Sequence, residues 1–150
     1  GAASDSPPTS GTGEASPARS AAAADPMAEQ DEYAEAFEHV KQRRYARAAQ
    51  ALESFVERHP QGAFTDNAQY WLGESYYALG RLDQAMSAFE ALRSRFPDSQ
   101  KLPHAMLKMG YIHDEKGQAE QARSILEALV ATYPGTTAAG LASQRLERIR

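Results

Sequence analysis

After about residue 30 apolar residues recur every three or four positions, the period of an amphipathic helix. The clearest stretch is Ala68 to Pro97, AQYWLGESYYALGRLDQAMSAFEALRSRFP. Leu72, Gly73, Tyr76 and Leu79 share one helical face, Leu82, Ala85, Met86, Phe89 and Leu92 share another, and Gly80 stands between them. The pattern predicts two helices joined by a tight turn. Sliding the chain against itself shows the same hairpin again. Pro60, Pro97 and Pro134 are spaced by 37 residues, as are Ala48, Ala85 and Ala122, Leu52, Phe89 and Leu126, Phe55, Leu92 and Leu129, and Ala68, Ala105 and Ala142. Gly73 pairs with Gly110 and Gly80 with Gly117 on the same ruler. One hairpin cannot bury its apolar face alone, so a helical repeat of this length predicts hairpins stacked into a solenoid.

The expected elements follow in order. Asp25 as N-cap and Pro26 at the first helical position open a helix whose stripe is Tyr33, Ala36, Phe37 and Val40. The 37-residue ruler would turn Glu35 and Glu38 of this helix toward the core. A loop at Gln42 to Arg44 shorter by one residue, without the glycine of the later repeats, would restore the stripe. A second helix runs from about Tyr45 to Arg58. Thr65 or Asp66 is the expected cap of the central hairpin. The third hairpin starts near Pro103, turns at Gly117 and ends near Tyr133. A last helix from about Thr137 to Ile149 carries Leu141, Leu146 and Ile149 on one side and caps the stack. The reading is an all-α solenoid with repeats at about 29–60, 66–97 and 103–134 and a capping helix at about 137–149. Residues 1–26, rich in Ser, Pro, Gly, Thr and Ala with no large apolar side chain, are expected to form a disordered linker that tethers the domain at 27–150.

Composition narrows the function. With 150 residues and 42% hydrophobic content the chain suffices for one domain and a tail. No apolar run approaches the roughly 20 residues that span a bilayer. Of the net charge of −4, the first 29 residues hold −3 (four carboxylates against Arg19), so the repeats are nearly neutral and nucleic acid is an unsuitable partner. Cysteine is absent, which excludes thiol chemistry and leaves the compartment open.

The chemistry of an enzyme is not legible. There is no Gly-x-Ser-x-Gly elbow, phosphate-binding glycine loop or His-Glu-x-x-His. No catalytic activity, metal or cofactor is expected. His39 and His113 hold equivalent positions with Tyr76 between them, but repeats keep equivalent side chains a repeat's width apart, so packing is expected of them rather than metal ligation.

The order Leu72, Gly73, Tyr76, Ala85, Phe89, Pro97 resembles the tetratricopeptide repeat, although Trp71 lies two residues later than in its general pattern. The strings YWLGESYYALG, FPDSQKLPHAMLKMG and YPGTTAAGLASQRL resemble the C-terminal domain of the periplasmic, Tol-Pal-associated YbgF (CpoB) family over roughly Glu32 to Arg150. In repeats of this kind the first helix of each hairpin lines a concave face. The resemblance therefore places Asn67, Tyr70, Trp71, Glu74 and Tyr77, with Lys108, Tyr111 and Asp114, toward a groove suited to a peptide, Tyr70, Tyr77 and Tyr111 covering its apolar face. It is not a groove that clamps a C-terminal carboxylate, because Lys108 is the only basic residue at the matching positions. The resemblance implies a periplasmic adaptor that binds TolA and, with the peptidoglycan synthase machinery, coordinates outer-membrane constriction with wall synthesis in cell division. It also implies an upstream coiled coil that trimerises the protein, this chain alone being monomeric. The alternatives are a scaffold of outer-membrane protein assembly and a self-associating structural repeat.

Overall fold

A computed structural model describes residues 26–149, and every described element is helical. The helices are α1 (Pro26–Lys41), α2 (Tyr45–Arg58), α3 (Thr65–Ala78), α4 (Leu82–Arg95), α5 (Leu102–Glu115), α6 (Ala119–Thr132) and α7 (Thr137–Arg148). They form three antiparallel hairpins, α1–α2, α3–α4 and α5–α6, with α7 against α5 and α6. Corresponding helices start 37 residues apart, at 45, 82 and 119 and at 65 and 102, so the sequence ruler is also the structural one. The expected linker and the expected cap Asp25 lie outside the described residues.

The repeated columns are the core. Ala48, Ala85 and Ala122 have no exposed surface, nor have Leu52, Phe89 and Leu126, and Phe55, Leu92 and Leu129 are buried beside them. Small residues let the helices of a hairpin close on one another. A Cβ added at Gly73 would meet the Phe89 ring at 2.4 Å, and one at Gly110 would meet Leu126 Cδ2 at 2.3 Å. The first hairpin carries Ala36 and Leu52 at these positions.

The three intra-hairpin loops share one construction, which corrects the expectation of a shorter first loop. Arg43 adopts φ 60°, beside 77° at Gly80 and 75° at Gly117. In each loop the residue after this one donates its N–H five residues back, Arg44 to His39, Arg81 to Tyr76 and Gln118 to His113, at 2.8–2.9 Å. The left-handed residue itself donates to Val40, Tyr77 or Asp114 at 2.9–3.0 Å. This is a Schellman closure, and it satisfies the last carbonyls of the first helix. Loop length is therefore constant, and an arginine takes the strained position where the others have glycine.

Glu35 and Glu38 need no slip in register. Their columns contain Leu72 and Met109, and Ser75 and Ile112, all buried where a later first helix packs on the hairpin before it. No described element precedes α1, so Glu35 is exposed and Glu38 half-exposed. Gln42 and Lys41 hydrogen-bond and pair with the Glu38 carboxylate and hold it below the usual carboxylate range.

The linkers are tied by side chains. The N-cap of α3 is Phe64, and neither Thr65 nor Asp66 caps it. Instead Thr65 Oγ1 donates to the His59 carbonyl and accepts from Gly62 N, and Ser99 Oγ donates to Asp66 at 2.6 Å. Before α7 a side chain does cap the helix, since Thr136 Oγ1 accepts from Ala139 N at 3.1 Å. That helix buries Ala138, Ala139 and Ala142 while Leu141 stays exposed, so the apolar side expected from Leu141 is rotated.

Candidate protein-interaction groove

The first helices α1, α3 and α5 lie side by side with α7 following α5, and their inner faces make a continuous surface. Column membership places the residues: Ala34, Trp71, Lys108 and Arg145 form one row, and Phe37, Glu74, Tyr111 and Arg148 the next. The row extends because α7 sits where the first helix of a fourth hairpin would.

At the α1–α3 end the surface is aromatic. Phe37 and Trp71 have ring centroids 5.2 Å apart, Tyr33 stacks on Phe37 at 5.8 Å and on Phe64 at 5.3 Å, and Trp71 meets Tyr70 edge-on at 5.0 Å. Lys101 Nζ stands 5.5 Å from the Tyr70 ring centre and 5.6 Å from that of Trp71, and Lys41 stands 5.9 Å from Phe37. Burial, with Asp66 nearby, pushes the Tyr33 hydroxyl up to about 12.

At the α5–α7 end opposite charges face one another, with Glu74 Oε1 and Arg145 Nε buried but without a hydrogen bond. Lys108 lies 3.7 Å from Glu74, 4.8 Å from the Tyr77 ring centre and 5.9 Å from that of Tyr111. Arg145 pairs with Asp114 at 2.8 Å and covers the Tyr111 ring at 4.0 Å. The Tyr77 hydroxyl donates to Glu115 at 2.6 Å. Burial and then that bond raise the Tyr77 hydroxyl well above the ordinary tyrosine range.

Seven of the eight residues expected in the groove, Asn67, Trp71, Glu74, Tyr77, Lys108, Tyr111 and Asp114, are half-buried along this surface. Tyr70 is different. It is 6% exposed and packs on Phe89, and burial, with the Glu74 carboxylate nearby, raises its hydroxyl far above the ordinary range. It belongs to the core and cannot cover a partner. The sequence reading also missed Phe37, Lys41, Lys101, Glu115 and Arg145. Phe37 and Arg145 were available in the columns of Tyr111 and Lys108. Lys101 was not, because it is the N-cap of α5 and lies in no helical row. Lys108 is therefore not the only basic group on this face.

His39 and His113 serve the loops of their hairpins. His39 Nδ1 faces Arg44 Nε at 3.2 Å, and His113 Nδ1 faces Gln118 Oε1 at 2.7 Å, each bridging the same loop position in its own hairpin. Among the described residues no group of three or more His, Asp or Glu side chains could hold a metal ion, and no helix is long and apolar enough to cross a membrane.

This stack of hairpins with a continuous inner face is a tetratricopeptide-repeat domain. Residues 33–100 and 104–136 both match tetratricopeptide repeat families. The fold is that of the Arabidopsis OM64 TPR domain (TM-score 0.69, 13% identity, 82% of this chain and 97% of that one). It is also that of the Yersinia enterocolitica type III secretion translocator chaperone SycD (TM-score 0.69, 19% identity, 83% and 92%) and of MamA (0.64, 19%, 87% and 76%). In sequence the chain is similar to the cell division coordinator CpoB of Pseudomonas putida, 41% identical over 66 residues, which are 44% of this chain. The match spans only 25% of that relative's length. Tetratricopeptide-repeat domains are generally protein-interaction scaffolds rather than enzymes, and an inner face of half-buried aromatics and paired charges suits that use.

Proposed function

We propose that this domain is a periplasmic adaptor of the Tol-Pal envelope system, which binds TolA on its inner face and helps coordinate outer-membrane constriction with peptidoglycan synthesis during cell division. The observation that carries the reading is the 41% identity to the cell division coordinator CpoB, since the fold alone would serve many partners. The inner face supports it physically. Half-buried aromatics such as Trp71 offer apolar area at low entropic cost, and charged groups along the face can set the register of a bound helix.

Calorimetric titration with the periplasmic stalk of TolA tests the proposal, with the whole chain and with residues 29–150 as separate samples. Saturable binding by both is expected. Absence of binding by both, with circular dichroism reporting folded helix, would overturn the adaptor reading and leave the repeat fold intact.

A further inference from the structure

The two halves of the inner face differ in how their charges are used. In the half built by α5 and α7 opposite charges already face one another: Glu74 lies 3.7 Å from Lys108, Asp114 pairs with Arg145, and Glu115 takes the Tyr77 hydroxyl, while Glu74 Oε1 and Arg145 Nε are buried without a hydrogen bond. Arg145 also covers one face of Tyr111, so an incoming side chain would have to displace it. This half is closed by α7.

The half built by α1 and α3 is arranged otherwise. Phe37 and Trp71 form a half-buried aromatic step between two helices. Lys101 stands over Tyr70 and Trp71, and among the described ion pairs it has no carboxylate. Lys41, over Phe37, pairs with the half-exposed Glu38, a pairing that solvent weakens. On α3, Asp66 accepts from Ser99. An aromatic surface rimmed by under-compensated ammonium groups complements an apolar side chain set between carboxylates. The chain's own residues 1–25 cannot supply it, for they contain Asp5, Glu14 and Asp25 but no large apolar residue.

We propose that the working half of the groove is the α1–α3 half, and that it takes an acidic protein segment whose large apolar side chain packs on Phe37 and Trp71 while flanking carboxylates meet Lys101 and Lys41. The α5–α7 half then acts as a preformed wall that stops the segment from running the length of the solenoid. This inference rests on the reading of the inner face as the partner site. It differs from the sequence expectation, in which Tyr70, Tyr77 and Tyr111 were the anchors.

Trp71 is the chain's only tryptophan, so intrinsic fluorescence reports directly on this half. The probes are two Trp-free amphipathic peptides of about four helical turns, each with a leucine ridge, one flanked by Glu and the other by Lys. The Glu peptide should change Trp71 emission saturably, and the Lys peptide should bind at least about tenfold more weakly. Lys101→Glu should weaken the Glu peptide at least about tenfold, whereas Arg145→Ala should leave it nearly unchanged. No response to either peptide, equal affinity for both, or sensitivity to Arg145→Ala but not to Lys101→Glu would overturn the proposal. Lys101→Glu leaves the packed aromatics and the Trp71 reporter intact, so a lost response reads the charge and not a lost fold. The same titration with the TolA stalk separates the two readings. TolA binding without a Trp71 response would keep the adaptor and remove this inference, and a bound Glu peptide without TolA binding would do the reverse.

Discussion

Arg43 is the one described residue other than glycine with positive φ, and the equivalent glycines show what that position needs. A side chain there crowds its own carbonyl, at roughly 1–2 kcal/mol. Arg43→Gly should stabilise the domain by up to about 1 kcal/mol, and Gly80→Ala or Gly117→Ala should destabilise it by about 1 kcal/mol, as read from urea midpoints. Gly73 has a different duty, because its φ is ordinary and its neighbour is the fully buried Phe89 ring. Gly73→Ala should cost about 1–3 kcal/mol by overpacking in the same assay. The tyrosines can be checked by pH. Tyr33 and Tyr76 are pushed up to about 12 by burial, with Asp66 and Glu53 nearby, and Tyr70 and Tyr77 are pushed further. Folding favours their neutral form, so their contribution is complete below about pH 10, the unfolded value, and is lost as pH rises through the folded values. Four of the seven tyrosines should therefore ionise only with alkaline unfolding, seen as phenolate absorbance rising together with loss of helical ellipticity.

At the scale of elements, α7 is both cap and groove wall. Its small face, Ala138, Ala139 and Ala142, seals α5 and α6, while Arg145 reaches onto Tyr111 and Asp114. Arg145→Ala should cost about 1 kcal/mol of stability, since the ion pair is partly exposed and the cation–π contact adds a similar amount. Removing residues 137–150 should do more, and locally. In a solenoid each hairpin depends on its neighbours, so hydrogen exchange should accelerate in α5 and α6 while α1 to α3 keep most of their protection. The helices themselves were legible from the 3.6-residue period, and their ends from the recurrent Pro and Gly. The rotation of α7 was not. Its leucines at 141 and 146 suggested an apolar side, yet Ala138, Ala139 and Ala142 make the closest contact and only Leu146 of the two leucines packs against the core, which leaves Leu141 outside.

For the whole molecule, the ends of the stack decide whether it stays alone. The edge of α1 that would meet a preceding hairpin carries Asp31, Glu35 and Glu38 where later repeats carry Ala68, Leu72 and Ser75. On α7 the positions of Leu107 and Gly110 are taken by Gln144 and Glu147. Polar ends should keep the domain monomeric, and light scattering across concentration should show one size. Glu35→Leu combined with Glu38→Ile restores the side chains of the interior columns and should produce concentration-dependent association. Were the wild-type chain to associate equally, the account of its ends would be wrong.

The sequence alone determined the repeat and its register, because a 37-residue period of helical stripes has one economical solution, and each buried column is visible as a recurring small or apolar residue. It also carried the resemblance on which the functional proposal rests. Which aromatics remain available to a partner was decided only in three dimensions. Tyr70 and Trp71 are neighbours in sequence, about 100° apart on one helix, yet one enters the core against Phe89 and the other faces the groove. Lys101 joins that groove from a linker with no helical period, and Arg145 closes its far end from another helix. Such meetings depend on how the hairpins turn relative to one another, and tertiary packing sets that turn.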